Sequence, residues 1–155
     1  MATQLNLTMD VDEPPEAVFD LMADVGNEPM WNPDALEVTR VDDGPLAVGA
    51  EWDGRYKGMG TMRVRLDEYE RPKRLRFTTS GTRMDMQWTF DYSSSGPSKT
   101  HVDAHAEIQP RGPMRVMGQL MGPMIRRTFS KRPAQLEAGL AATGPASSRS
   151  SEPAR

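Results

Sequence analysis

The sequence predicts an α+β fold, a curved antiparallel sheet of seven strands wrapped around a long C-terminal helix. Three observations carry this. Apolar and polar residues alternate in one segment after another through most of the chain. The connections between these segments are short and rich in Gly, Pro, Asp and Ser, which favours antiparallel neighbours over crossovers. The last apolar stretch then changes period, because Met117, Met121, Met124/Ile125, Phe129, Leu136 and Leu140 recur at helical spacing between Pro113 and Leu140.

Leu5, Leu7, Met9 and Val11 alternate with Gln4, Asn6, Thr8 and Asp10, the signature of a half-buried first strand. Asp12-Glu13-Pro14-Pro15-Glu16 places prolines and acids where a helix begins. Val18, Leu21, Met22 and Val25 supply its apolar face, and Gly26-Asn27 ends it. Pro29-Met30-Trp31-Asn32-Pro33 reads as a proline-bracketed turn or single helical turn. Six strands follow, near 36–42, 49–57, 61–70, 74–80, 83–93 and 99–109. The final helix contains Gly118, Gly122, Pro123 and Pro133. An interior proline costs about 3 kcal/mol relative to alanine, so two or three kinked pieces are expected, held by tertiary packing. The domain is expected over 1–142. Residues 143–155 lack an apolar anchor and read as a disordered tail.

Composition narrows the chemistry. The chain has 155 residues and no cysteine, which excludes disulfides, thiol nucleophiles and Cys-based metal sites. No run is long enough to span a membrane, and the N-terminal residues lack a basic start and apolar block, so a cytoplasmic protein is expected. The net charge of −3 hides a polarity. Residues 1–70 carry 16 acidic and 5 basic side chains, and residues 71–155 carry 6 acidic and 14 basic. Arg111, Arg115, Arg126, Arg127, Lys131 and Arg132 lie on or beside the final helix. They make either a solvated face or a contact for an anionic partner, a membrane surface or an acidic carrier protein. No nucleic-acid partner is expected, because no aromatic-interleaved basic patch accompanies the charge.

Strand parity identifies the inward face. Met84, Met86, Trp88, Phe90 and Tyr92 share it with Trp52, Gly54 and Tyr56, with Met62, Val64 and Leu66, with Leu75, Phe77 and Thr79, and with Val102, Ala104, Ala106 and Ile108. Twelve methionines are many for this length. Methionine adapts to varied apolar shapes, so this face either surrounds a ligand or fills a core without a cavity. Ala104 and Ala106 either admit the helix closely or leave room for a ligand. His101 and His105, the two histidines, sit four residues apart on the outward face. That spacing separates them by about 13 Å on a strand, too far for one zinc, so no metal site is expected. Arg63 and Arg65 also point outward, toward Asp53 or Asp85. Glu68 has inward parity that a bulge would reverse. Tyr56 and Tyr92 are the polar groups best placed on the inward face, as weak catalytic candidates or as satisfied core residues.

Several segments carry a resemblance. Asp12-Glu13-Pro14-Pro15-Glu16-Ala17-Val18-Phe19, Met30-Trp31-Asn32-Pro33, Val48-Gly49-Ala50-Glu51-Trp52, Glu70-Arg71-Pro72-Lys73-Arg74-Leu75 and Pro110-Arg111-Gly112-Pro113-Met114 match, in order, the segments of one family. Across residues 3–141 the chain resembles the START/Bet v 1-like (SRPBCC) superfamily and, within it, the polyketide cyclase/dehydrase-like group. The resemblance implies the helix-grip fold, with two short helices after the first strand. It also implies a small hydrophobic ligand, lipid-, quinone- or polyketide-like, held without a cofactor between the sheet and the last helix. Trp31, Trp52, Tyr56, Phe77, Met84, Met86, Trp88, Phe90, Met117, Met121 and Met124 are the expected lining. One alternative is an aromatase/cyclase-type enzyme. Another is an interaction module docking through the basic helix.

Overall fold

The computed structural model describes residues 3–150. Strand β1 (Thr3–Val11) leads through α1 (Pro15–Ala23) and a 3-10 turn (Val25–Met30) into β2 (Ala35–Arg40), β3 (Glu51–Tyr56), β4 (Gly60–Glu70), β5 (Arg74–Gly81), β6 (Met84–Gly96) and β7 (Lys99–Pro110). A second 3-10 turn (Gly112–Arg115) precedes α2 (Gly118–Phe129) and α3 (Arg132–Ser150). Residues 151–155 lie outside the described residues.

The seven strands form one antiparallel sheet in the order β1-β7-β6-β5-β4-β3-β2. The chain leaves β1 at one edge and crosses to the far edge through α1 and the first turn. It then meanders back until β7 lies beside β1. This is the helix-grip arrangement, with both short helices after the first strand and the C-terminal helices against the concave face.

Local chemistry explains the elements. Pro14 caps α1 from an extended conformation, and Pro15 occupies its first turn, where no N–H is needed. Val18, Phe19, Leu21, Met22 and Ala23 are buried. Phe19 meets Tyr69 and Tyr92 edge-on, with ring centroids 5.3 and 5.4 Å away. The β3–β4 hairpin turns on Gly58 and Gly60, at φ +77° and +74°, a backbone that a side chain would strain. On β1 every second residue from Leu5 to Val11 is buried, and on β7 every second residue from Thr100 to Ile108. Thr100 is the one polar member of the β7 row, and its hydroxyl donates to the Glu13 carbonyl at 2.6 Å.

The two prolines of the C-terminal region behave differently. Pro123 is held inside α2 without ending it, whereas the chain breaks at Ser130–Lys131 and Pro133 falls in the first turn of α3. Glycines mark the close approaches. A Cβ on Gly122 would stand 3.5 Å from the Leu5 side chain, and one on Gly139 would stand 3.1 Å from Trp31 Cβ. Both helices therefore lie tightly against the elements they cover.

The outward face carries the ion pairs. Arg63 contacts Asp53 at 2.6 Å and Glu51 at 3.3 Å, and Arg65 contacts Asp67 at 2.6 Å. Asp85 is taken by Arg111. The β4–β5 register shifts between Leu66 and Glu68, and Glu68 pairs with Arg76 at 2.7 Å. His101 meets Asp10 at 2.8 Å and Asp103 at 3.3 Å, and His105 meets Asn6 at 2.8 Å. Exposed pairs of this kind add little stability.

Candidate functional site: a Met-lined cavity with one polar end

A cavity of about 620 Å³ lies between the concave face of the sheet and the helices. It falls within the usual range for small-molecule sites, about 300–1,000 Å³. Its walls come from β4, β5 and β6 (Met62, Val64, Phe77, Met84, Met86, Trp88, Phe90) and from α2 and α3 (Met121, Ile125, Phe129, Leu136). Trp88 stacks on Phe90 at 5.5 Å and faces Phe129 at 6.3 Å, so strand and helix meet through parallel rings. Lys57, Gly58 and Met124 line the cavity yet are exposed, which locates its mouth at the β3–β4 hairpin and the outer side of α2. Ala104 and Ala106 are buried outside the lining, where their small size serves packing.

Nine of the eleven expected lining residues reach this cavity: Trp31, Tyr56, Phe77, Met84, Met86, Trp88, Phe90, Met121 and Met124. Trp52 does not. It is 1% exposed, with the Arg40 guanidinium 5.3 Å from its ring centroid and the first 3-10 turn over its indole, so parity turned it inward but the turn sealed it off. Met117 also fails, being half exposed at the N-cap of α2. It stands before the first turn of α2, so the helical spacing that joined it to Met121 does not carry it onto the inward face. Tyr92 points inward but lies beside Phe19, with its hydroxyl donating to Met22 Sδ at 3.3 Å. It does not reach the cavity, and burial raises its pKa well above the ordinary value.

The polar end of the cavity was not foreseen apart from Tyr56. The Tyr56 hydroxyl donates to Glu28 Oε2 at 2.7 Å, and Asn32 Nδ2 donates to Glu28 Oε1 at 2.8 Å. Asn32 Oδ1 accepts from the Asp34 amide at 3.0 Å, which fixes the orientation of its side chain. Desolvation raises the Glu28 carboxyl pKa above 4.5, against the lowering effects of the Tyr56 and Asn32 hydrogen bonds and the Arg132 charge. Desolvation also raises the Tyr56 pKa, assisted by the Glu28 charge. Arg132, from the first turn of α3, is half-buried. Desolvation lowers its pKa, while Glu28 and Asp34 hold it up. Its guanidinium lies 5.6 Å from the Trp31 ring centroid, and Nη1 donates to Gln135 at 2.6 Å. Trp31 Nε1 is buried and has no hydrogen-bond acceptor among the described residues.

A sequence signal for part of this cluster existed. Glu28, just before the proline-bracketed turn, and Asn32 within it stand four residues apart, so one helical turn aligns their side chains. Arg132 carried no such signal among six neighbouring cations.

The chain belongs to the polyketide cyclase / dehydrase and lipid transport family, whose model matches residues 2–142. No curated protein matches the sequence. Among solved structures, the fold is similar to the di-domain ARO/CYC BexL from the BE-7585A biosynthetic pathway (TM-score 0.70, 17% identity). That match covers 92% of this chain and 47% of BexL, so the chain spans about half of BexL's length. A START superfamily protein from Mycobacterium smegmatis gives a TM-score of 0.62 at 17% identity, covering 88% of this chain and 93% of that one. Ara h 8.0201 gives 0.68 at 10% identity, covering 92% and 99%. At such identities the likeness is one of fold. No helix among the described residues is long and apolar enough to cross a membrane.

Proposed function

We propose that this chain binds a small, largely hydrophobic molecule, lipid-, quinone- or polyketide-like, in the cavity between the sheet and the C-terminal helices. One observation carries the reading: a 620 Å³ space has Met and aromatic walls and a single polar end. The walls take an apolar body of varied shape. The polar end selects for an oxygen at one extremity. Arg132, which lines that end, supplies a guanidinium donor for a ligand carbonyl or hydroxyl. A fully anionic head is disfavoured, because Glu28 and Asp34 stand beside Arg132. Native mass spectrometry of the full chain purified from its own host tests the reading. A stoichiometric apolar, oxygen-bearing adduct supports it. An unmodified mass, together with failure to bind an apolar fluorescent probe, overturns it.

A second reading, a cyclase- or dehydratase-type enzyme, is favoured by the Glu28 carboxylate itself. A desolvated carboxylate facing two donors is suited to taking a proton from the carbon beside a ligand carbonyl. The C–H electron pair would pass to the carbonyl oxygen as an enolate, stabilised by Arg132. The proton held on Glu28 would then be available to a departing hydroxyl. Hydrogen–deuterium exchange at the α-carbon of a bound aryl 1,3-diketone separates this reading from binding alone. Exchange accelerated by the protein and lost in Glu28→Gln supports catalysis. Exchange equal in the two proteins refutes it and leaves the binding reading standing.

A further inference from the structure

The segment from Ile108 to Leu136 contains six basic residues and no acidic one. Arg111 pairs with Asp85, Arg126 bonds the Asn6 carbonyl, and Arg132 faces the cavity. Arg115, Arg127 and Lys131 are exposed and have no ion pair among the described residues. Beside them stand apolar side chains that the fold leaves uncovered. Val116 is 86% exposed, Leu120 68%, Met124 58% and Met117 50%. Single exposed apolar residues are ordinary, but here residues 116–124 gather four of the eight exposed large hydrophobics among the described residues within nine positions.

We propose that Val116, Met117, Leu120 and Met124, flanked by Arg115, Arg127 and Lys131, dock on an anionic lipid surface. Charge complementarity identifies this occupant, because an uninterrupted basic segment seeks an acidic surface and apolar knobs need somewhere to insert. The knobs protrude instead of lining a groove, which suits the soft boundary of lipid headgroups and acyl chains better than the shaped pocket of a protein. Met124 belongs both to the ridge and to the cavity lining, so the docked orientation brings the mouth to the lipid. An apolar ligand then passes between bilayer and cavity without crossing water. That last step rests on the binding function proposed above, whereas docking itself does not.

Vesicle co-sedimentation of the full chain, without added ligand, tests the docking. Binding is expected to phosphatidylglycerol-containing vesicles at low salt, with little to pure phosphatidylcholine. Arg115→Gln/Arg127→Gln/Lys131→Gln should weaken it on the order of 100-fold, at about fivefold per basic side chain near an anionic surface. Val116→Ser/Leu120→Ser should weaken it by about tenfold or more, as two side chains lose their insertion. These positions are exposed, so circular dichroism and the urea transition should match the parent protein. Absence of binding to anionic vesicles at low salt overturns the proposal. So does binding that responds to the charge variant but not to Val116→Ser/Leu120→Ser, or a preference for polyglutamate over the vesicles, which would assign the face to an acidic protein.

Discussion

Replacing Tyr56 by Phe removes one hydroxyl and tests how the polar end of the cavity is held. That hydroxyl donates to Glu28 Oε2 at 2.7 Å and ties the first 3-10 turn to β3. A hydrogen bond to a charged group contributes about 1.5–3 kcal/mol, against about 0.5–1.5 for a neutral one. The pH dependence has a definite sign. Burial raises the Glu28 carboxyl pKa above 4.5, so the charged form is disfavoured in the fold and subtracts stability above its folded pKa. That penalty disappears as pH falls toward the unfolded value. Loss of the Tyr56 bond deepens the penalty, so Tyr56→Phe should cost about 1.5–3 kcal/mol where Glu28 is ionised. The cost should shrink toward the neutral-bond figure once Glu28 is protonated. Urea unfolding of both proteins across a pH series that titrates Glu28, with m unchanged, measures it. In a Glu28→Gln background the same substitution should become small and independent of pH. A cost below about 0.5 kcal/mol at every pH, or one that does not change with pH, would refute the reasoning.

Three other outcomes are expected. Gly54→Ala should reproduce the Tyr56→Phe phenotype, because a Cβ there would lie 2.5 Å from Tyr56 Cε2 and push the ring off Glu28; a crystal structure of the variant with the bond intact would contradict this. Quenching of tryptophan fluorescence by an apolar probe should survive Trp52→Phe and fall in Trp88→Phe, since Trp88 lines the cavity and Trp52 does not. The hydrogen bond with Asp10 raises the His101 pKa above 6.5, with further support from Asp103. Its small stabilisation is therefore present below about pH 6.5 and lost as pH rises through the folded pKa. By NMR titration the His101 midpoint should move down in Asp10→Asn.

Much of the fold was legible because period and punctuation are local properties. Alternation placed seven strands, and the turn residues between them implied antiparallel neighbours. Parity oriented Tyr56, Phe77, Met84, Met86, Trp88 and Phe90 toward the cavity, since a side chain on a strand has only two directions. Parity says which way a side chain points, however, and not what lies over it. Trp52 was sealed by the turn and Tyr92 by α1, and each contact spans 25 or more residues of sequence. Met117 failed for a different reason, because helical spacing was extended to a residue that stands at the N-cap, before the first turn of α2.

By itself the sequence determined the α+β class, the seven strands with antiparallel neighbours, the broken C-terminal helix and an inward face of methionine and aromatic residues. Each follows from interactions between near neighbours in the chain. Only the tertiary structure decided that the inward face encloses space, and that Glu28, Tyr56, Asn32 and Arg132 meet at one end of it. The reason is physical. Arg132 lies 104 positions from Glu28 along the chain, and no local period relates a cation on the last helix to a carboxylate on the first turn. Their meeting depends on a sheet that carries the chain from edge to edge before α3 closes over it.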